Sequence, residues 1–256
     1  MRKFRFWQFG LYTGISLSLL SSCKNDSQLA AAPSIADQSF TEEFDTVPNS
    51  INRGWQFINV SVPKGSDVWQ QGGAIVPWFA PYSSNGSNAG FIGANYLSTS
   101  AQKGVISNWL VSPVVIMQNG DKISFYTRSY MDRFSATDST DWGNCLQVRA
   151  NTTNESSNVG SGLNIGDFKT GLLQINQHVY SNTQARDTLA WAHTATNLFN
   201  YAAYPTRWTR YEAVISGLNA PARGRFAFRY FLENGGSNSD GSGIAIDKVQ
   251  YTSVGH

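Results

Sequence analysis

The chain has 256 residues, of which 41% are hydrophobic, 13% aromatic and only 14% charged, whereas an average globular protein has about 25% charged residues. This composition excludes wholesale disorder, because it supplies enough apolar side chains for a core. The formal net charge is +2, but without Arg2, Lys3 and Arg5 only 16 basic residues face 17 acidic ones. A body of nearly neutral charge argues against nucleic-acid binding, which needs a basic surface.

The first 22 residues have the layout of a secretory signal peptide. A basic segment, Met1–Arg5, precedes a mostly apolar stretch, Phe6–Leu20, and two serines follow. The stretch is too short and too rich in Ser and Gly for a membrane-spanning helix. The sequence therefore predicts export, with residues 1–22 as a signal peptide outside the folded protein.

Cys23 stands directly after this segment. The run Leu20–Cys23 resembles the lipobox of bacterial lipoproteins, in which cleavage precedes a Cys that is then acylated. The resemblance implies a lipid anchor at Cys23, since several acyl chains hold a protein stably at a membrane surface. We expect the bacterial cell envelope, at the outer membrane or cell surface. An ordinary signal peptide followed by a chance Cys is the alternative.

Residues 23–37 are small and polar, include Pro33, and predict a linker behind the anchor. Beyond it, strand-like runs alternate with turn clusters, and no long helical period appears except a short candidate helix around Gln184–Asn200. The clearest predicted strands are Val105–Val111, Lys122–Thr127, Leu146–Ala150, Arg210–Ile215, Arg225–Phe231 and Ile244–Tyr251.

Alternation within Arg225–Phe231 indicates how these strands pack. Phe226, Phe228 and Tyr230 fall on one face, and Arg225 and Arg229 fall on the other. Strands with one buried face and one solvent-exposed face are typical of an antiparallel sandwich. No second linker divides the body, so we predict one all-β domain over residues 38–254, an antiparallel β-sandwich that is jelly-roll-like.

Several short motifs occur in a characteristic order over roughly 210 residues. They are Phe44-Asp45, Pro48, Gly54-Trp55, Asn59, Asn108–Pro113, Asn119–Phe125, Leu146–Arg149, Asn158–Gly160, Gly166–Phe168, Pro205–Trp208 and Ile246–Val249. Taken in order, they resemble the choice-of-anchor J family, a relative of cleaved-adhesin and MAM-like domains. The resemblance implies an exported jelly-roll sandwich with an accessory or adhesion role and no defined ligand.

Calcium is the metal that this resemblance implies, because cleaved-adhesin relatives carry it near the first and last strands. By position, the ligands carried over are Asp45, Asn59 and Asp247. Two departures lower the local negative charge, since Asn59 replaces an expected Asp and Lys248 stands where an acidic residue is common. We therefore expect a weak site, as extracellular calcium sites often are.

No arrangement typical of catalysis appears in the sequence. The histidines are His178, His193 and His256, and neither a nucleophile elbow nor a paired-His zinc motif is present. Cys145 fits a small core residue on a strand. We therefore predict a protein that is not an enzyme, although pairs of carboxylates leave glycoside hydrolysis open.

Four aromatic residues, Trp69, Trp78, Phe79 and Tyr82, lie in a loop-like stretch and are candidates for ligand binding. Exposed flat rings stack on the apolar faces of sugars, whereas the alternative role is to fill the core or pin the loop. The sequence thus predicts a lipid-anchored binding or adhesion module for a glycan or extracellular protein. A carbohydrate-binding accessory protein or weak glycan-active enzyme is the alternative, and a purely structural envelope protein is a third.

Overall fold

In the computed structural model, the described residues are 35–130, 132–133, 139–140, 142–175 and 204–254. Apart from α1 (Val47–Asn52) and a 3-10 turn (Tyr96–Ser98), their regular structure is β. The strands are β1 (Phe40–Glu42), β2 (Gln56–Asn59), β3 (Gln70–Gln71), β4 (Ile92–Asn95), β5 (Gly104–Val111), β6 (Val115–Met117), β7 (Lys122–Ser129), β8 (Asp132–Arg133), β9 (Ser139–Thr140), β10 (Leu146–Asn151), β11 (Thr170–Ile175), β12 (Thr209–Val214), β13 (Ala222–Gly235) and β14 (Gly243–Thr252).

Two six-stranded antiparallel sheets form a sandwich. Sheet 1 has the order β12-β7-β14-β4-β3, with β1 paired to β14. Sheet 2 has the order β11-β10-β13-β5-β2, with β6 paired to β13. Apart from the pairs β3–β4 and β10–β11, neighbours in each sheet are not consecutive in the chain, and the predicted all-β, jelly-roll-like sandwich is confirmed. The short strands β8 and β9 pair with each other.

All six predicted strands are present, and the largest extension is at β13, which grows to 14 residues. The phase of its alternation is also confirmed, since Phe226, Phe228 and Tyr230 are fully buried between the sheets. The Phe226 ring lies 5.8 Å from that of Tyr251 on β14, and the Phe228 ring 4.9 Å from that of Phe125 on β7. Aromatic contacts of this kind join the two sheets.

The outer face of sheet 2 is not exposed to solvent, in contrast to the sequence prediction. The segment 152–168 covers it and forms a second, smaller apolar cluster. This cluster contains Trp109, Val111, Val159, Phe168 and Ala227. An open antiparallel sheet would leave these side chains in water, so the irregular segment supplies a third layer.

Arg229 is buried beneath this cover and is only 2% exposed. Its guanidinium lies 3.8 Å from the ring centre of Phe231 and donates to Ser107 Oγ at 3.0 Å, Gln147 Oε1 at 3.2 Å and Gly162 O at 2.6 Å. Burial lowers the pKa of Arg229 to about 9, so the group remains a cation at neutral pH. Alternation placed this residue on the correct face, but it could not indicate that a loop covers that face.

Several sequence predictions fall outside the described residues. These are the signal peptide, the lipidated Cys23, the candidate helix at 184–200 and all three histidines. The division into signal peptide, linker and domain stays a prediction. Within the part of the chain that the structure describes, no helix has the length and apolar character needed to cross a membrane.

Candidate functional site

The segment Gly72–Gly90, here called the covering loop, lies on the outer face of sheet 1. Its residue Phe79 stacks on Phe91 with ring centres 5.0 Å apart and meets the edge of Trp208 at 5.5 Å. The Arg128 guanidinium lies 3.9 Å from the Phe79 ring centre. These contacts attach the loop to sheet 1 through flat apolar surfaces.

Two glycines allow the loop to approach the sheet closely at Trp78. An added Cβ would lie 2.4 Å from the Trp78 ring at Gly73 and 2.8 Å from it at Gly93. Both distances are shorter than contacting carbons tolerate. The indole therefore rests directly on backbone, which the sequence shows only as isolated glycines.

Asp247 joins the covering loop to the centre of sheet 1. Its Oδ2 accepts hydrogen bonds from the backbone amides of Tyr82 at 2.8 Å and Ser83 at 3.0 Å. A β-bulge interrupts β14 after Asp247, with Lys248 in the left-handed region at φ 49°. Bulges re-aim side chains in this way, and this one accompanies a carboxylate turned toward the loop.

Burial raises the pKa of Asp247 to about 7, with a smaller contribution from the nearby Glu43 carboxylate. The backbone amides of Ser83, Lys248 and Tyr82 oppose this shift, because they favour the ionised form. The second oxygen, Oδ1, is buried and has no hydrogen-bond partner among the described residues. A buried acceptor without a partner is energetically costly and is suited to a proton or a cation.

Two further carboxylates bind the same part of the loop. Asp45 Oδ2 accepts from Asn85 Nδ2 at 3.0 Å, and its Oδ1 accepts from the Asn85 amide at 3.2 Å. Glu43 Oε2 accepts from Ser83 Oγ at 2.6 Å, while its Oε1 lies 3.5 Å from Lys248 Nζ. The predicted residues Asp45 and Asp247 therefore meet at one loop, residues 82–85, as the chain ends of a jelly roll allow.

The turn that carries Asp45 is fixed by the buried Glu42. Its Oε1 accepts from the Phe44 amide at 3.0 Å and from Ser50 Oγ at 3.1 Å, while Oε2 accepts from Arg53 Nε at 2.8 Å. The carboxylate raises the pKa of Arg53 through this hydrogen bond. One buried acid thus holds both the turn and α1, and the position of Asp45 follows from it.

Asn59 is not part of this group. It lies on β2 of sheet 2, and its Nδ2 donates to Asp67 O at 2.7 Å and Ser98 O at 2.8 Å. Its Oδ1 accepts from the Ser61 amide at 3.0 Å. The amide thus has protein partners on both atoms, and no group of three or more His, Cys, Asp or Glu side chains among the described residues is placed to hold a metal.

The four aromatic candidates have different surroundings. Trp69 is 1% exposed and donates from Nε1 to Asn108 O at 3.1 Å, so the expected exposure is wrong for this residue. Trp78 and Phe79 are half-buried in the attachment of the covering loop. Tyr82 alone is well exposed, at 43%, and its ring stacks on that of Tyr126. Packing under the loop explains why a loop-like sequence contains so many rings.

The sequence gives no sign of Ser83 or Asn85 as partners of the carboxylates. Ser83 lies 164 residues from Asp247 along the chain, and Asn85 lies 40 residues from Asp45. The one available signal is the acidic run Glu42–Asp45, in which a carboxylate precedes and follows the apolar Phe44. Such a run indicates a site with several acceptors but does not identify their donors.

The fold resembles that of cleaved adhesin domains. The K1 cleaved adhesin domain of Lys-gingipain from Porphyromonas gingivalis W83 matches with a TM-score of 0.50 and 18% identity, over 85% of this chain and 99% of that domain. The K3 domain of the same protein matches at 0.47 and 16%, over 85% and 100%, and the K2 domain at 0.45 and 15%, over 84% and 99%. No protein-family model and no curated protein sequence matches the chain. The likeness to K1 establishes a cleaved-adhesin-like fold, and membership of the choice-of-anchor J family stays a prediction.

The raised pKa of Asp247 predicts a pH dependence of stability. In the unfolded chain this carboxyl titrates near 3.8 and in the folded protein near 7, so folding takes up a proton between these values. Stability should therefore fall as pH rises from about 4 to 7, by at most about 4 kcal/mol from this group. The measurement is urea unfolding from pH 4 to pH 7.5 in EDTA.

Asp247→Asn is the matched variant, because the amide oxygen can still accept from the two loop amides. Its stability should change less over the same range than that of the wild type. The control is Asp167→Asn, which changes a half-buried acid in the segment that covers sheet 2. This variant should retain the wild-type pH profile. Equal pH profiles for wild type and Asp247→Asn would contradict the assignment.

Proposed function

We propose that this chain is an exported, lipid-anchored binding module of adhesion type at the bacterial cell surface, without catalytic activity. The observation that carries the proposal is the cleaved-adhesin-like sandwich, which spans 85% of the chain and nearly all of the K1 domain. A fold alone does not specify a function, so the proposal also draws on the chemistry of the described residues.

The surroundings of Cys145 support a role without catalysis. The thiol is completely buried, and burial raises the pKa of Cys145 far above its usual range. Because the thiolate is the nucleophile, this group is unreactive at neutral pH. The carboxylates Glu43, Asp45 and Asp247 have structural partners in the covering loop, which favours attachment over acid–base chemistry.

We further propose that the module binds calcium weakly at the junction of Asp45 and Asp247. The buried Oδ1 of Asp247 fits this role, since a cation would supply the partner that it lacks. The amide of Asn59 does not fit, because both of its atoms are occupied on sheet 2. When bound, the metal would neutralise the carboxylates that face residues 82–85 and strengthen the attachment of the loop.

The lipid anchor is tested by labelling. Full-length protein produced in a Gram-negative host with an alkyne analogue of palmitate should carry the label and remain in the membrane fraction. Cys23→Ala should abolish both, because the acyl chains have no other attachment. Cys145→Ala, which changes the only other cysteine, should leave both unchanged. Label retained by Cys23→Ala would refute the anchor.

The calcium site is tested by thermal unfolding in EDTA and in calcium. For a Kd of roughly 0.1–1 mM, a concentration ten times the Kd should stabilise the protein by about 1.4 kcal/mol, or a few degrees. Asp45→Asn and Asp247→Asn should each remove most of the shift, whereas Asp167→Asn should retain it. No shift in the wild type at 10 mM calcium would exclude a site of this strength.

The adhesion role is tested with purified full-length protein in a mild zwitterionic detergent. On arrays of extracellular matrix proteins and glycans we expect saturable binding to at least one class, which heat-unfolded protein should not reproduce. Saturation distinguishes binding at a specific site from nonspecific adsorption. Absence of binding to every class at micromolar concentration would contradict the proposed role.

A further inference from the structure

Three Asn-Gly pairs occur in the chain, at Asn85-Gly86, Asn119-Gly120 and Asn234-Gly235, and all of them lie among the described residues. A glycine after an asparagine leaves its backbone nitrogen accessible, because it has no Cβ. In such a pair the glycine nitrogen can attack the side-chain carbonyl carbon of the asparagine and displace ammonia. The surroundings of each pair decide whether the folded protein allows this reaction.

Two of the pairs are protected by the fold. Asn119 Nδ2 donates to Leu218 O at 2.7 Å, and its Oδ1 accepts from the Leu218 amide at 2.9 Å. The attacking nitrogen is also occupied, since the Gly120 amide donates to Ile215 O at 2.8 Å. At another pair, Gly235 is buried where β13 pairs with β5. Both pairs can react only after the local structure opens.

The pair Asn85-Gly86 has neither kind of protection. Both residues are exposed on the covering loop. Gly86 has φ 86°, and an added Cβ there would have no atom within 4 Å apart from its chain neighbours. Within the part of the chain that the structure describes, the Gly86 amide donates no hydrogen bond. The attacking nitrogen and the space for ring closure are therefore available without any opening of the fold.

Asn85 also forms the contact between the covering loop and Asp45. It contributes donors only, because Nδ2 donates to Asp45 Oδ2 at 3.0 Å and the backbone amide donates to Oδ1 at 3.2 Å. The contact lies at an exposed position, so these hydrogen bonds hold the side chain without shielding it from water. A reaction that removes Nδ2 removes one of the two donors on which this contact depends.

We infer that Asn85 is a site of spontaneous deamidation, and that the reaction turns the contact with Asp45 from attractive to repulsive. The Gly86 nitrogen forms a bond to Asn85 Cγ and gives its proton to a solvent base, while Nδ2 takes up a proton and leaves as ammonia. Water then opens the resulting succinimide at either carbonyl, which leaves aspartate or isoaspartate at position 85. The sequence of steps consumes one water molecule and needs no oxidant or reductant.

The product changes the electrostatics of the loop. A carboxylate replaces the donor that faced Asp45, and two like charges at hydrogen-bonding distance disfavour each other. Isoaspartate also lengthens the main chain by a methylene group. The Glu43 carboxylate adds negative charge nearby, since it accepts from Ser83 Oγ at 2.6 Å. Deamidation should therefore release the loop from Asp45, while Asp247 continues to bind the amides of residues 82 and 83.

The site is tested by incubating full-length protein in a mild zwitterionic detergent at 37 °C and pH 7.5, in water enriched in heavy oxygen. The heavy isotope enters only where an amide is hydrolysed during the incubation. Chymotrypsin, which cuts after aromatic residues, releases the segment 83–91 for mass spectrometry. Asn85 should react at least about tenfold faster than Asn119 and Asn234, which must wait for local opening.

Two controls separate the fold from the sequence. In protein unfolded by urea, the three Asn-Gly pairs should react at similar rates, because each has the same following residue. Asn85→Gln should stay unmodified at that position over the same time, since a longer side chain closes the ring much more slowly. Folded protein in which Asn85 reacts no faster than Asn119 or Asn234 would overturn the deamidation site.

The effect on the loop is tested with Asn85→Asp, which has the same side chain as one product. In EDTA at pH 7.5, its melting temperature should fall by a few degrees, roughly 2–4 °C. Asn85→Ala loses the side-chain hydrogen bond without adding a charge, so its melting temperature should fall less. Sodium chloride at 1 M should reduce the difference between the two variants, because salt screens exposed charges. Equal melting temperatures for Asn85→Asp and Asn85→Ala would overturn the repulsive contact.

Discussion

On each outer face of the sandwich, one buried ionisable side chain binds the backbone of a covering segment. On sheet 2 the cation Arg229 donates to Gly162 O, and on sheet 1 the carboxylate Asp247 accepts from the amides of Tyr82 and Ser83. A charge removed from water is tolerated only with such partners. Arg229 on β13 and Asp247 on β14 therefore each attach one long irregular segment to the sheet beneath it.

The two attachments differ in chemical character. Arg229 stacks on aromatic rings, has neutral acceptors, and keeps its charge at neutral pH because its pKa is about 9. Asp247 titrates near neutrality, and its Oδ1 has no hydrogen-bond partner in the part of the chain that the structure describes. The cover of sheet 2 is thus a fixed structural layer. The attachment on sheet 1 contains a carboxyl group whose charge changes near neutral pH.

The sequence predicted the strands well because burial between two sheets imposes a period of two that local residues display. The sequence did not predict the irregular segments that cover the outer faces of the sheets. The environment of Arg229 depends on Gly162, 67 residues away, and that of Asp247 on Tyr82, 165 residues away. Asp45 and Asp247, which the resemblance placed near the chain ends, both contact residues 82–85, since chain ends pair in this topology. Trp69 was misjudged because a ring in a loop-like sequence gives no sign of whether a sheet lies beneath it.

The chain has no strong net charge with which to steer a ligand from a distance. Recognition by such a surface must therefore rely on shape, flat rings and fixed hydrogen-bonding groups, which are short-range and little affected by salt. In the covering loop, Trp78 and Phe79 attach the loop to the sheet, and Tyr82 keeps a flat ring well exposed.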